Sequence, residues 1–142
     1  MADVLSFTAF TCERILQEMD GSISAIRLID IFRVPVPIPP DFQIVFWLVA
    51  IAKYGIGQKP GEADFKLTQI RTNGERKDLG THKAASLINE IDGQLVVPGL
   101  GLIVQFNMKV DTIGTDYIEI ELDGRLCAKL PITLLATKPQ GK

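Results

Sequence analysis

The stretch YIEIELDGRLCAKL, residues 117–130, contains the pattern on which the fold prediction depends. Across residues 117–122, tyrosine and glutamate alternate with isoleucine and leucine, which is typical of a strand with one buried face. Asp123-Gly124 follows, and both residue types tolerate the positive φ that a two-residue type I′ turn requires. Residues 125–130 alternate again. The stretch therefore predicts an antiparallel β-hairpin.

Residues 102–111 show the same alternation on the N-terminal side of this hairpin, with valine, phenylalanine and methionine on one side. We predict that they join residues 117–122 and 125–130 in a three-stranded antiparallel meander with one apolar and one polar face. In this arrangement Leu126 lies on the apolar face and Cys127 lies on the polar face.

Three further dipeptides have the same turn chemistry, and each lies between strand-like runs: Asp20-Gly21, Asn73-Gly74 and Asp92-Gly93. Each predicts a tight hairpin loop. Residues 13–19 and 84–91, which precede the first and the last of them, also fit a short helix. For residues 13–19 a strand is the preferred interpretation.

The segment from residue 22 to residue 54 indicates how the chain moves between sheets. Residues 22–34 are apolar on both sides, which indicates a central strand or a strand with a bulge that exchanges its faces. Four prolines in residues 35–40 remove backbone donors and predict an extended crossover between sheets. Residues 43–54 are rich in β-branched and aromatic side chains and predict a buried strand, with Trp47 in the core.

Together these patterns predict an all-β protein, an antiparallel β-sandwich that is immunoglobulin-like in architecture and has eight or nine strands. The chain has 142 residues, the usual length of one domain, and no shift in composition divides it. We therefore expect a single domain over residues 1–142.

Charge and hydropathy argue against nucleic-acid and membrane partners. The formal net charge is -2, and the nearest basic cluster, Arg71, Arg76 and Lys77, shares its turn with two acidic residues. We interpret this cluster as a solvated hairpin tip rather than a phosphate site. The longest apolar run, residues 44–52, is far shorter than the roughly 20 residues of a membrane-spanning helix. Because the chain starts without the basic region of a signal peptide, we expect a cytoplasmic protein.

Cysteine and histidine are scarce. Cys12 and Cys127 are the two cysteines, and a cytoplasmic protein keeps such thiols reduced. A disulfide between the first and last strands is the alternative if the protein is exported. His82 is the only histidine, and the chain has no CxxC or HExxH spacing, so we expect no metal and no cofactor.

Three stretches of the chain carry a resemblance to a known family: FTCER, DGSIS and IDIF near the N-terminus; a central hairpin around a glycine turn; and the C-terminal strands. They cover residues 10–14, 20–24 and 29–32, then 65–78, then 99–102, 122–124 and 130–132. They resemble an uncharacterised family of bacterial β-sandwich domains, a domain of unknown function. The resemblance implies a sandwich fold and a bacterial or phage-like origin, and it assigns no catalytic or binding residue.

Carboxylates are the first candidates for chemistry. Glu119 and Glu121 lie on the same face of one strand, roughly 6.5–7 Å apart, near the carboxylate spacing of glycoside hydrolases. A solvated sheet face shows the same spacing and is the simpler interpretation. Asp111, Asp116 and Asp123 form a calcium site only if their loops converge, but alternate turns of a meander lie at opposite ends.

The function expected from these features is protein binding rather than catalysis. We predict a non-enzymatic binding or assembly module that contacts a protein partner or a second copy of itself. Residues 22–34 and 43–54 are apolar on both sides, so they offer a sheet face that one core does not need. The alternatives are a small carbohydrate-binding module, with Tyr54 and Tyr117 as exposed rings, and a hydrolase that uses Glu119 and Glu121.

Overall fold

The computed structural model of the chain describes residues 4–17, 23–56, 58, 61–87, 90–95 and 98–137. These residues contain strands and no helix, which confirms the all-β prediction. The strands are β1 (Val4–Gln17), β2 (Ile23–Leu28), β3 (Ile31–Val34), β4 (Gln43–Tyr54), β5 (Asp64–Ile70), β6 (Arg76–Lys83), β7 (Ala85–Leu87), β8 (Glu90–Ile91), β9 (Gln94–Leu95), β10 (Gly99–Lys109), β11 (Gly114–Leu122) and β12 (Arg125–Ala136).

The strands form two five-stranded sheets and one small hairpin. Sheet I has the order β2-β1-β4-β10-β7, and all of its pairs are antiparallel. Sheet II has the order β3-β12-β11-β5-β6, in which β3 runs parallel to β12 and the other pairs are antiparallel. β8 and β9 pair only with each other in the described part of the chain.

One hydrophobic core lies between the two sheets. Phe46 and Leu48 of β4 are buried in the same cluster as Phe65 of β5 and Ile118 of β11. Aromatic rings meet across the core, since Phe7 lies 6.4 Å from Phe65 between ring centroids. The alternation of β11 is confirmed, because its isoleucines and Leu122 are buried in this core.

Two predicted type I′ turns are confirmed. Asp123 and Gly124 have φ values of 49° and 82°, and they connect β11 to β12 at the pair Leu122 and Arg125. Asp92 and Gly93 have φ values of 52° and 76° between β8 and β9. The helical alternative for residues 84–91 is therefore wrong where they are described. Asp20-Gly21 lies outside the described residues.

The hairpin at Asn73-Gly74 is present, but its turn differs from the predicted one. The Gly74 N–H donates to the Arg71 carbonyl and the Arg71 N–H donates to the Glu75 carbonyl, both at 2.8 Å. Of the loop residues only Gly74, at φ 86°, has a positive φ. This is a three-residue loop, a type I turn followed by a left-handed glycine.

The predicted C-terminal meander is wrong at β10. β10 pairs with β4 along its whole length, from Gly99 with Lys53 to Lys109 with Gln43. Residues 111–113 then lead into sheet II, where β11 pairs with β5 and β12. Alternation specifies which face of a strand is buried, and both sheets bury a face in the same core. The partner strand therefore cannot be deduced from the pattern.

The prediction of a central strand over residues 22–34 is also wrong. The segment divides into β2, at one edge of sheet I, and β3, at one edge of sheet II. The prediction that residues 35–40 cross between sheets is confirmed, because β3 lies in sheet II and β4 in sheet I. Twelve strands are present in the described residues instead of eight or nine, since β3, β7, β8 and β9 are too short to show a period.

A β-bulge in the β11–β12 pair changes the faces of β12. Ile120 pairs with Ala128 and Glu121 pairs with Leu126, so Cys127 is the additional residue. Leu126 is consequently 57% exposed, while Cys127 packs against the core. The predicted faces of these two residues are therefore wrong.

Candidate interaction surface

The outer face of sheet I, which points away from the core, carries a group of apolar side chains. By the strand register, β4 and the neighbouring parts of β1 and β2 contribute mainly apolar side chains to it, whereas β10 contributes Gln105 opposite Trp47 and Asn107 opposite Val45. We define the apolar face as Phe10, Cys12, Leu16, Ile26, Leu28, Val45, Trp47, Val49, Ile51 and Ile103.

The sequence of β4 explains why this face is apolar. β4 contains the continuous apolar run of residues 44–52, and successive side chains of a strand point to opposite faces. Ile44, Phe46, Leu48, Ala50 and Ala52 enter the core. The odd-numbered residues of the run therefore cover the outer face with apolar groups.

Cross-strand packing makes the middle of the apolar face dense. Val49 pairs with Phe10 of β1 and with Ile103 of β10, and its side chain is completely buried although it lies outside the core. Cys12, between Trp47 and Leu28, is also completely buried. Burial raises the pKa of the Cys12 thiol, so this thiol is a packing group rather than a reactive one.

Several side chains of the apolar face remain in contact with solvent. Val45 is 51% exposed and Ile103 is 43% exposed, and Leu16, Ile26 and Leu28 are exposed toward the β2 edge. Trp47 is partly buried. Isolated exposed apolar residues are normal on proteins, but a contiguous group on one sheet face is typical of an interaction site.

Three charged side chains lie on this face among the residues whose register is described: Lys53 and Lys109 near strand ends, and Arg14 between Cys12 and Leu16, opposite Ile26. Lys109 Nζ is 3.3 Å from the carboxylate of Asp41. Two of the three charges therefore lie toward the rim, where protein–protein interfaces also carry their charged residues.

The outer face of sheet II has the opposite character. Glu119 accepts a hydrogen bond from Arg76 at 2.6 Å, and Lys129 Nζ lies 4.7 Å from the centroid of the Tyr117 ring. Glu121 lies opposite the exposed Leu126. This face is covered by mixed charges that interact with each other.

The register places Glu119 and Glu121 on this outer face, two residues apart along β11. The Glu119 side chain is 14% exposed because Arg76 covers it in an ion pair. Glu119 therefore forms a surface salt bridge with Arg76. It lies next to Glu121, the other member of the predicted carboxylate pair.

The predicted aromatic residues do not form a shared platform. Tyr54 is a buried core residue, so the expectation that it is exposed is wrong. Burial raises the pKa of Tyr54, and the nearby charges of Asp123 and Cys127 raise it further. Tyr117 is 37% exposed on sheet II. Trp47, expected in the core, lies instead on the outer face of sheet I.

The aspartates proposed for calcium have separate structural roles. Asp116 is buried and accepts hydrogen bonds from Gln69 Nε2 at 2.8 Å and from the Thr72 N–H at 3.1 Å. Asp111 pairs with Arg71, and Asp123 accepts from the Asp64 N–H at 3.2 Å. No cluster of histidine, cysteine and acidic residues in the described part of the chain could hold a metal ion.

His82 and the cysteines are also apart. A ring nitrogen of His82 lies 3.3 Å from the Leu79 carbonyl. Cys12 belongs to the outer face of sheet I and Cys127 to the inner side of sheet II, and both are free thiols.

In comparisons with known proteins, no family model and no curated protein matches the chain. The described residues include no helix that is long and apolar enough to cross a membrane.

Proposed function

We propose that the chain is a non-enzymatic protein-binding module that acts through the apolar face of sheet I. The observation that carries this proposal is the uncovered outer side of β4 and β10, where Val45 and Ile103 remain about half exposed beside Trp47. Covering this side with protein would remove apolar surface from water, which is the main favourable term in association.

The composition of the apolar face supports a protein partner. Interfaces are enriched in aromatic residues and depleted of charge at their centre, and Phe10 and Trp47 lie at the centre of this face. A partner that covers Phe10, Trp47 and Val49 leaves Lys53 at the solvated rim.

The competing functions have weaker support. A carboxylate hydrolase needs a free pair at Glu119 and Glu121, but Glu119 is ion-paired with Arg76. A glycan platform needs Tyr54 and Tyr117 together, but Tyr54 is in the core. Both alternatives therefore lack the geometry that would favour them.

The proposal also includes a fold architecture, an origin and a cellular location for the chain. The two sheets around one core support a β-sandwich of immunoglobulin-like architecture over residues 1–142. The resemblance to a bacterial domain family supports a bacterial origin, and we propose a cytoplasmic location without nucleic-acid or membrane partners.

Site-specific photocross-linking tests the proposal. A benzoyl-phenylalanine at position 45, on the apolar face, should cross-link a protein in native host extract at physiological concentration. The same group at position 126 is the matched control, because Val45 and Leu126 are similarly exposed on opposite sheets. Equal cross-linking from both positions, or none from position 45, would reject the proposal.

A further inference from the structure

We infer that the open edge of β10 is a second binding site, which takes an extended peptide segment of a partner protein as an added antiparallel strand. The site consists of the main chain of residues 102–109 on the side away from β4, together with the core-facing side chains of Val104 and Phe106. Binding here uses backbone hydrogen bonds along the edge of sheet I rather than contact with its apolar face. The inference therefore does not depend on the proposed function.

β10 has a strand partner along its whole length on one side and along only three residues on the other. It pairs with β4 from Gly99 to Lys109, whereas β7 pairs with residues 99–101 alone. At Ala84 the chain passes from β6 of sheet II into β7, so the residues before β7 do not continue along β10. In the described part of the chain, no strand pairs with residues 102–109 on the side away from β4.

The register identifies which main-chain groups face this open edge. In an antiparallel pair, residues that bond to the partner strand alternate with residues whose N–H and C=O point the other way. At one end of the pair with β4, the Tyr54 N–H donates to the Pro98 carbonyl at 2.9 Å. At the other end, the Val110 N–H donates to the Phe42 carbonyl, also at 2.9 Å. Because the register between them has no shift, the even-numbered residues of β10 bond to β4. The residues whose N–H and C=O point to the open edge are Ile103, Gln105, Asn107 and Lys109.

The side chains beside the open edge define the chemistry of the segment that fits it. Val104 and Phe106 point toward the core but remain partly exposed. An added strand places every second side chain on this inner side, where apolar groups complete the burial of both residues. Its other side chains lie opposite Gln105 and Asn107, which favours polar groups. The site therefore fits an uncharged segment of roughly six to eight residues in which apolar and polar side chains alternate.

The other edges of the two sheets carry features that block such pairing, whereas this edge does not. The edge strand β6 is largely charged, and Gly80 has a φ of 102° within it. In β2, at the other edge of sheet I, Arg27 has a φ of 58°, and β3 has only four residues. Charges, irregular backbone and short length are the usual protections of sheet edges. Residues 102–108 have no charge and no proline, and their register is regular. This is the kind of edge that strand addition uses.

The length of the open edge favours a segment of another protein over the same edge of a second copy. Two β10 strands paired symmetrically about Gln105 would place Lys109 of one copy opposite Gly101 of the other. Ala85 of β7 already occupies the position opposite Gly101. A short extended segment avoids this overlap, because it can end before β7.

Amide hydrogen exchange followed by NMR tests the site on the purified full chain. In the chain alone, the odd-numbered amides of residues 103–107 should exchange at least about tenfold faster than the even-numbered amides, which bond to β4. The probe is a synthetic peptide in which four threonines alternate with three valines, with two lysines at each end for solubility. At saturation it should slow the odd-numbered amides at least about tenfold and leave the even-numbered amides unchanged.

N-methylated forms of the peptide are the matched controls. In the antiparallel arrangement the threonines lie opposite the odd-numbered residues, so their N–H groups face β10, while the valine N–H groups face solvent. Methylation of the threonine nitrogens should abolish binding. Methylation of the valine nitrogens should change the dissociation constant less than about threefold.

Substitutions at residue 105 test the same hydrogen bonds from the side of the protein. Gln105→Pro removes one donor, and proline is tolerated where the N–H of an edge strand faces solvent. It should raise the dissociation constant of the peptide at least about tenfold, whereas Gln105→Thr, which keeps the donor, should leave it unchanged. Val45→Lys, on the apolar face, should also leave it unchanged, so that failure of this inference and failure of the proposed function are distinguishable. Circular dichroism establishes that each variant is folded, and the methylated peptides decide the question if Gln105→Pro is not.

Four results would overturn the inference. Slow exchange of the odd-numbered amides in the chain alone means that the edge is already paired, within the chain or with a second copy. A peptide that gives no protection, or equal binding of the two methylated peptides, means that no strand is added. Loss of binding on methylation of the valines instead of the threonines contradicts the antiparallel direction. Unchanged binding to folded Gln105→Pro contradicts the assigned main-chain contacts.

Discussion

Asp116 shows how one buried polar side chain can fix the end of a sheet. Its two carboxylate oxygens accept from Gln69 of β5 and from the backbone of Thr72 in the following loop. These contacts attach the hairpin of β5 and β6 to the start of β11. Buried polar groups persist in proteins when their hydrogen bonds are satisfied, and here the bonds also position the loop.

Asp116→Ala should lower the free energy of unfolding by roughly 1–3 kcal/mol, because the Gln69 and Thr72 donors lose a buried acceptor. Chemical denaturation measures this change. Asp111→Asn is the control, since the Asp111 side chain in the pair with Arg71 is half exposed and exposed ion pairs contribute about 0–1 kcal/mol. A cost for Asp116→Ala no larger than that of the control would contradict the assigned role.

At the scale of the elements, the sequence indicates which face of a strand is buried, but it does not indicate which strands pair with each other. The hairpin of β11 and β12 follows from alternation and from Asp123-Gly124, because both signals are local. The pairing of β10 with β4 depends on long-range contacts. No turn residue in the sequence marks the bulge at Cys127, so the exposure of Leu126 could not be deduced from the sequence.

The same limit applies to the candidate surface. The two-sided apolar character of residues 43–54 predicts a surface beyond the core, and β4 has that surface. A continuous apolar run shows no alternation of apolar and polar residues, however, so the pattern does not indicate which residues face outward. Only the register of β4 with β1 and β10 places Trp47 on the outer face and Phe46 in the core.

The loop from β10 to β11, which joins the two sheets, depends on close contact at Gly114. Gly114 has φ 140°, and a Cβ there would overlap with Thr72 Cγ2. Gly114→Ala should therefore destabilise the fold by about 1–3 kcal/mol through overlap and backbone strain. Unfolding by denaturant measures the cost, and Thr72→Ser in the same chain should restore part of it by removing the methyl group.

Gly74→Ala is the control that separates backbone strain from steric overlap in the cost of Gly114→Ala. Gly74 also has a positive φ, at 86°, but no atom lies within 4 Å of a Cβ built on it. Its substitution should cost only the left-handed strain, about 1–2 kcal/mol. Failure of Thr72→Ser to recover any stability in the Gly114→Ala chain would contradict the close contact.

At the scale of the whole molecule, burial of Cys12 and Tyr54 makes the free energy of unfolding depend on pH in the alkaline range. Burial raises the pKa of both groups, so the folded chain holds these protons to higher pH than the unfolded chain. Their contribution is complete below the unfolded pKa values, about 8.5 for cysteine and about 10 for tyrosine, and it is lost as pH rises above them.

The free energy of unfolding should therefore decrease from about pH 9 upward, near the unfolded pKa values. Tyr54→Phe, which removes one of the two ionising groups, should make this decrease shallower. Denaturant titrations at a series of pH values measure the slope. A slope that is identical in the wild-type chain and in Tyr54→Phe would contradict the coupling assigned to Tyr54.

At the scale of the whole molecule, the described residues form one core and two outer faces of different character, and the proposed function concerns the apolar face. Sheet II exposes interacting charges such as Glu119 and Arg76, whereas sheet I exposes Val45 and Ile103 around Trp47. Charged residues keep an exposed face soluble. The proposed function therefore assigns the binding of a protein partner to the apolar face.

The most direct test compares Val45→Lys with Leu126→Lys, which place the same charge at similarly exposed positions on the apolar face and on sheet II. The wild-type chain and both variants should be used to capture proteins from native host extract, and thermal unfolding of each variant establishes that it is folded. We predict that Val45→Lys loses a protein that the wild-type chain and Leu126→Lys both retain. Retention of the same proteins by all three chains would contradict binding through the apolar face.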